Sequence, residues 1–409
     1  MSFNRILAPF LVSLAVACGA ADSSDSSSSE PDDTGESPSA ASASTTADSP
    51  ATATTSVTKS VAVTATGDVA PVSTDETPSA GEANDPAPEP IAEPSGLQYR
   101  GVNLAGAEFG TLTASSLGVE GRDYGWPTRA EIDYFQAKGM NTFRIGFAWE
   151  RLQTKQFAEL TPAYVAKLDD IVGYATSRGA NVVLNPHNFA KYYGVHVGSA
   201  AVPASAFADL WKRLATRYAA NARVMFNLVN EPAGLRTEQW VDSANAAIAA
   251  IRAAGAKNMI HVPGNAYTGA HSWNSTWYGT ANAKAMLAIK DPGDNFVIEV
   301  HQYLDPDSGG KTGQCVSAKI GRERLAGWIS WLRANGLKGF VGEFAGGDNA
   351  LCNAAVKDML DAMNEADDVI VGWLWWAAGP RWNPSYPFSI EPKNGVDAPQ
   401  MALLTPYLP

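Results

Sequence analysis

Two glutamates in this sequence end apolar runs in company that suits acid–base chemistry. Glu231 lies in Asn230-Glu231-Pro232 after the run at 224–229, and Glu343 follows Gly342 after the run at 339–341. Two carboxyl groups facing each other across a cleft can cleave a glycosidic bond. One protonates the leaving oxygen, and the second acts at the anomeric carbon. The retaining form of the reaction places them about 5 to 5.5 Å apart. Arg144 would favour an ionised Glu343 and Tyr303 would donate a hydrogen bond to it, as a carboxylate nucleophile requires. Glu231 needs the opposite, surroundings that keep it protonated near neutrality. Asn230 is suited to bind the sugar 2-hydroxyl, a contact that strengthens in the transition state.

The elements that must position these groups are legible as a repeat. Runs rich in Val, Ile, Phe and Leu recur at 100–104, 142–147, 181–185, 224–229, 259–262, 296–300, 339–341 and 369–375. Such continuous apolar character fits strands buried on both faces. Segments at 128–138, 161–177, 203–219, 237–254 and 315–335 carry Ala, Leu and charged residues at helical spacing. The fold expected is α/β, a (β/α)8 TIM barrel over residues 97–409. A doubly wound open sheet is the alternative, but no Gly-x-Gly-x-x-Gly follows the first strand. Barrel chemistry belongs where strands end and βα loops begin. Those ends read Arg144 in strand two, His187-Asn188 after strand three and Asn230-Glu231-Pro232 after strand four. Strand six gives His301-Gln302-Tyr303, strand seven Glu343 and strand eight Trp376.

With those residues in order, the sequence resembles glycoside hydrolase family 5, and within it the fungal-type endo-β-1,4-glucanases (cellulases). The likeness runs from residue 97 to about 392. It also includes Arg100-Gly101-Val102-Asn103, Val262-Pro263-Gly264-Asn265, Tyr303-Leu304-Asp305-x-Asp307-x-Gly309 and the Cys315/Cys352 pair. The resemblance implies a retaining enzyme with Glu231 as acid/base and Glu343 as nucleophile. Arg144, His187, Asn230, His301, Tyr303 and Trp376 would surround the glycone subsite beside the cleaved bond, with Asn188 and Trp273 as further substrate-binding residues. Phe189 stands where such cellulases often have Tyr, and the loop Gly106-Ala107-Glu108-Phe109 also departs from the usual pattern. A related β-glycanase acting on mannan, xyloglucan or mixed-linkage glucan shares the core residues. A surface carbohydrate-binding protein on an inactive barrel is the reading from another class, and the presence of both carboxylates argues against it.

Other chemistries find no motif. The five His form no His-x-x-x-His and no Cys/His cluster, so no metal and no cofactor is expected. A Gly-x-Ser-x-Gly turn is absent, which leaves a serine nucleophile unsupported. Sugar rings stack on aromatic faces, so loop tryptophans are candidate platforms: Trp149, Trp273, Trp277 and Trp382. Trp211, Trp240, Trp328 and Trp331 fall within predicted helices and read as packing residues. Trp375 and Trp376 face opposite ways along a strand, so only one can line the site.

The first 96 residues read differently. They hold fourteen of the 42 acidic residues but only two of the 30 basic ones, which leaves 28 of each for the rest. The formal charge of −12 therefore belongs to the tail, and the neutral remainder offers no basic excess for nucleic acid. Residues 1–17 carry Arg5 and an apolar run ending at Ala17-Cys18-Gly19, the pattern of a signal peptide too short to span a membrane. The ending resembles a bacterial lipobox, which makes Cys18 a candidate for lipidation; a conventional cut near Ala17 or Ala20 is the alternative. Residues 18–96 are Ser, Thr, Ala, Pro and acidic, a composition that cannot offset the entropy of ordering, and read as a disordered linker. The expectation is a secreted monomer acting on a β-glucan polysaccharide, tethered through Cys18 if that residue is lipidated. In an exported chain Cys315 and Cys352 form an even pair able to bond.

Overall fold

The apolar runs become strands because an all-parallel sheet with helices outside and side chains inside buries both faces. They are β1 (Tyr99–Leu104), β2 (Thr142–Phe147), β3 (Asn181–Pro186), β4 (Val224–Asn227), β5 (Ile260–Pro263), β6 (Phe296–His301), β7 (Gly339–Phe344) and β8 (Ile370–Ala378). In the computed structural model, which describes residues 96–383 and 385–409, each strand pairs in parallel with the next and β8 pairs with β1. The result is a closed eight-stranded barrel. The export signal at 1–17, the linker at 18–96 apart from Gly96, and Cys18 lie outside the described residues.

Helices α1 (Arg129–Ala137), α3 (Pro162–Ser177), α4 (Ala204–Tyr218), α5 (Thr237–Ala253), α7 (Ile320–Asn335) and α8 (Ala350–Asn364) link the strands, and one-turn α2 (Trp149–Leu152) follows β2 directly. Local signals set their ends. Thr128 and Glu131 form a capping box at α1, Pro162 opens α3, and Gly336 closes α7 in the left-handed conformation. One helix expectation shifts. The segment expected as helix from 315 begins only at Ile320, because Cys315 is bonded to Cys352 in the first turn of α8, with Cα atoms 5.2 Å apart. The β5–β6 link carries only the short α6 (Asn282–Ala285) and a 3-10 turn, so most of it is loop.

The barrel interior is layered. Val183, Met225, Val297, Phe340 and Leu374 fill the end where strands begin. One step towards the strand ends the inward residues turn polar: Asn185, Asn227 and Glu299, all fully buried. Glu343 breaks the simple alternation. Phe340 and Gly342 belong to the inward set, so a regular strand would turn Glu343 away. Between β7 and β8, however, Val341 pairs with Trp373 and Phe344 with Trp375, three residues against two. This bulge swings Glu343 into the mouth.

Candidate active site

Arg144 organises the site from the middle of β2, 1% exposed. Its Nη1 donates to Glu343 Oε1 at 2.7 Å and to Asn103 Oδ1 at 2.8 Å. Its Nη2 donates to Asn230 Oδ1 at 2.7 Å and Asn227 Oδ1 at 3.2 Å. Asn103 in turn donates to the carbonyls of Gly342 and Trp375, tying β1 to β7, which carries Glu343, and to its neighbour β8. The guanidinium is thus a planar clamp that fixes the carboxyl group it holds. Tyr303 Oη donates to the other Glu343 oxygen at 2.6 Å. Burial and the Glu343 charge push the Tyr303 hydroxyl well above its ordinary pKa, so it stays a donor.

Glu231 sits four residues past the end of β4, with its backbone in the left-handed region at φ 41°. Its side chain is 13% exposed, against 4% for Glu343. Burial pushes its carboxyl above the ordinary value, while His301 acts in the opposite sense. His301 Nδ1 lies 2.7 Å from Glu231 Oε1 and 3.4 Å from Glu343 Oε2. Burial alone would strip this imidazole of its proton, yet the charge of Glu343, the hydrogen bond to Glu231 and the nearby Glu299 carboxylate raise its pKa to about 9. Glu231, His301 and Glu343 offer ligand atoms within 4.8 Å of one another. Three such groups are capable of holding a metal ion. Here Arg144 already supplies a cation 2.7 Å from Glu343, and each of the three is hydrogen-bonded within the protein.

The other residues expected from sequence fall into two groups. His187 stacks on Trp376 with ring centroids 5.5 Å apart, and Phe189 meets its edge. Burial, Arg144 and His301 hold His187 well below the ordinary histidine range, hence neutral. Trp376 is half-buried and donates Nε1 to Tyr386, whereas Trp375 is fully buried and bonded to the Phe388 carbonyl. Asn230, with its oxygen taken by Arg144, turns its amide nitrogen away from that bond as a donor. Among the described residues Asn188 finds no side-chain hydrogen-bond partner; its carbonyl accepts from Lys191 to start a short hairpin. Trp273 is not brought to the site. It is 1% exposed and packed against Trp331, with no face open to a sugar, and Trp149 is likewise buried. Both expectations are corrected: Trp149 is packed against Tyr192 and Phe207, and Trp273 against Trp331, so neither ring offers a platform. Trp382 is half-buried and stacked on Tyr386 at 4.1 Å, and Trp277 is 60% exposed beside His271.

Several residues at the site were not read from sequence. Glu108 lies over Gly146, where any Cβ would stand 2.8 Å from its carboxyl carbon. Burial, against hydrogen bonds from backbone amides, raises its pKa to about 7, within the fields of Arg144 and Glu343. Glu299 lies beneath the mouth in the same relation to Gly342, at 2.6 Å. Burial would raise it too, but the hydrogen bond with His261 and the nearby His301 and Arg144 cations hold it well below the carboxylate range. A charged residue between Ile298 and Val300 was the available signal for Glu299.

Comparison with known proteins agrees with this geometry. Residues 101–379 match the model of the cellulase family, glycosyl hydrolase family 5. Endo-beta-1,4-glucanase B of Emericella nidulans is 42% identical over 303 residues, 74% of this chain and 88% of that protein. Endoglucanase 3 of Humicola insolens is 38% identical over 316 residues, covering 76% and 78%. Among solved structures, XacCel5A in complex with cellopentaose superposes with TM-score 0.74 at 46% identity, covering 76% of this chain and 99% of that one. Pseudomonas stutzeri endoglucanase Cel5A in complex with cellobiose gives 0.70 at 32% identity, covering 77% and 93%.

Proposed function

The chain belongs to glycoside hydrolase family 5, and from that membership we propose an endo-β-1,4-glucanase that cuts internal bonds of cellulose or related β-glucans with retention. Glu343 attacks the anomeric carbon as the C1–O bond breaks, and the Glu231 proton passes to the leaving oxygen. Water then gives a proton to Glu231 as its oxygen attacks C1, which frees Glu343 and leaves the β-configuration. One observation carries this reading. The two carboxyl groups reach within 4.8 Å at the mouth, one raised by burial and the other clamped by Arg144 and Tyr303. That reach suits direct attack by Glu343 and falls short of the separation of about 6.5 to 9.5 Å found between the carboxyl groups of inverting enzymes.

Purified enzyme should release reducing ends from carboxymethylcellulose faster than from mannan or xyloglucan, and Glu343→Gln should abolish the release. Preference for another glycan would move the substrate and keep the mechanism; inactivity on all of them would favour a binding protein. Proton NMR should show β-anomer product first. We further propose export and tethering through lipidated Cys18, read from the tail's sequence. Radiolabelled palmitate should enter the wild-type chain and not Cys18→Ser.

A further inference from the structure

The reaction above uses the carboxylates at the mouth, yet a third, Glu299, lies beneath them with no part in it. Its side chain is completely buried. Removing an ionised carboxylate from water is tolerated only where hydrogen bonds and opposite charge replace the solvent. Here they do. Oε2 faces His261 Nδ1 at 2.8 Å, and Oε1 accepts from Asn227 Nδ2 at 2.9 Å. Oε1 also lies 3.4 Å from His301 Nε2 and 3.7 Å from Arg144 Nη2. Gly342 gives the carboxyl its space, since a Cβ there would stand 2.6 Å from it. Two of its neighbours, Arg144 and His301, are the groups that touch Glu343 and Glu231.

We propose that Glu299 is a positioning residue of the hydrolysis, a buried anion whose charge, 3.4 Å from His301 Nε2, keeps a proton on that nitrogen and so leaves Nδ1–H aimed at Glu231 and Glu343. An imidazole with a carboxylate beside each nitrogen is held as the cation. His301 meets Glu299 from its own strand, Glu231 from the loop after β4, Glu343 from β7, and the field of His187 from the β3 end. Glu299 meets His261 from β5, Asn227 from β4 and Arg144 from β2. His301 therefore occupies one oxygen of Glu231 and leaves the second to exchange its proton with the leaving group. In parallel, the Glu299 charge draws Arg144 down to the level from which it reaches Glu343.

The test reads the imidazole directly. With only five His in the chain, nitrogen-15 labelled histidine gives a spectrum simple enough to assign. In full-length wild type, His301 should carry both protons at pH 7 and titrate near 9. In Glu299→Gln, which keeps the shape, its midpoint should fall by about 1 to 3 pH units, the usual effect of one close carboxylate. Glu299→Asp should restore most of the difference. On a soluble β-glucan, kcat of Glu299→Gln should drop about 10- to 100-fold with KM little changed, as when a carboxylate orienting a functional imidazole is lost. A wild-type His301 that is neutral at pH 7 overturns the proposal, and so does an unchanged midpoint in the Gln variant. If that variant fails to fold, the wild-type titration still decides. The kinetic arm rests on the hydrolase reading, but the titration needs no substrate. Failure to cut any glycan beside a cationic His301 would sink that reading and leave this one standing.

Discussion

Replacing Glu108 with Gln isolates the energetic consequence of a buried carboxyl beside the reacting pair. The folded protein holds the Glu108 proton to about pH 7, whereas the unfolded chain releases it near 4.5. A raised carboxyl contributes stability that is fully present below pH 4.5 and is lost as the pH rises through 7. Each pH unit between the two values corresponds to 1.36 kcal/mol, so the wild type forfeits about 3 kcal/mol across this window. The amide introduced by Glu108→Gln cannot titrate, and its oxygen can still accept from the Gly106 amide, which bonds Glu108 Oε2 at 2.7 Å. The variant should therefore gain on the wild type as the pH rises, by about 3 kcal/mol between pH 4.5 and 8. For a folded unit of about 310 residues this corresponds to about 5 °C in Tm. Calorimetry of both proteins at the two pH values measures it. The other raised carboxyls, Glu150 and Glu231 among them, titrate in both proteins and cancel in the difference. Parallel pH profiles of Tm would refute the burial argument for Glu108.

Glu231→Ala should cripple hydrolysis of unactivated glucan while sparing aryl glycosides with good leaving groups; equal losses in the two kcat/KM values would contradict an acid role. Tyr303→Phe removes a 2.6 Å charge-assisted bond to Glu343 worth about 1.5–3 kcal/mol, so kcat/KM should fall roughly tenfold to a hundredfold. A loss below about twofold would show the bond is not used in the reaction. Cys315→Ser with Cys352→Ser opens a crosslink spanning 37 residues, expected to cost about 4 kcal/mol and to lower Tm by about 6 °C. A scanning-calorimetry difference near zero would locate the loop's stability in its own hydrogen bonds, such as those that Asp305 accepts from Gly310, Lys311 and Thr312.

What was legible in the sequence is what hydrophobic pattern and residue type carry. Continuous apolar runs gave eight strands, and the residues in and after them named Arg144, Asn230, Glu231, His301, Tyr303 and Glu343, whose contacts form one network, and Trp376, which stacks on His187 beside it. What was not legible depends on facing and depth. Trp273 and Trp149 follow strand ends as a platform residue would, and only packing shows that both rings are submerged. Glu299 and Asn227 lie inside strands, where a polar residue is easily taken for an irregularity; their inward register on neighbouring strands makes them a layer. The bulge that aims Glu343 has no residue signature, since it arises from how β7 pairs with β8. Glu108 lies in a loop after β1, and its placement depends on the missing side chain of Gly146 one strand away.

The backbone of Glu231 has a consequence for anyone seeking a hardier enzyme. A residue with a Cβ in the left-handed conformation is disfavoured by about 1–2 kcal/mol, a cost glycine escapes. Directed evolution that scored only survival on heating would therefore drift towards glycine at position 231 and collect robust, inert barrels. Heat tolerance and turnover oppose each other at this position, so a screen has to demand both in the same round.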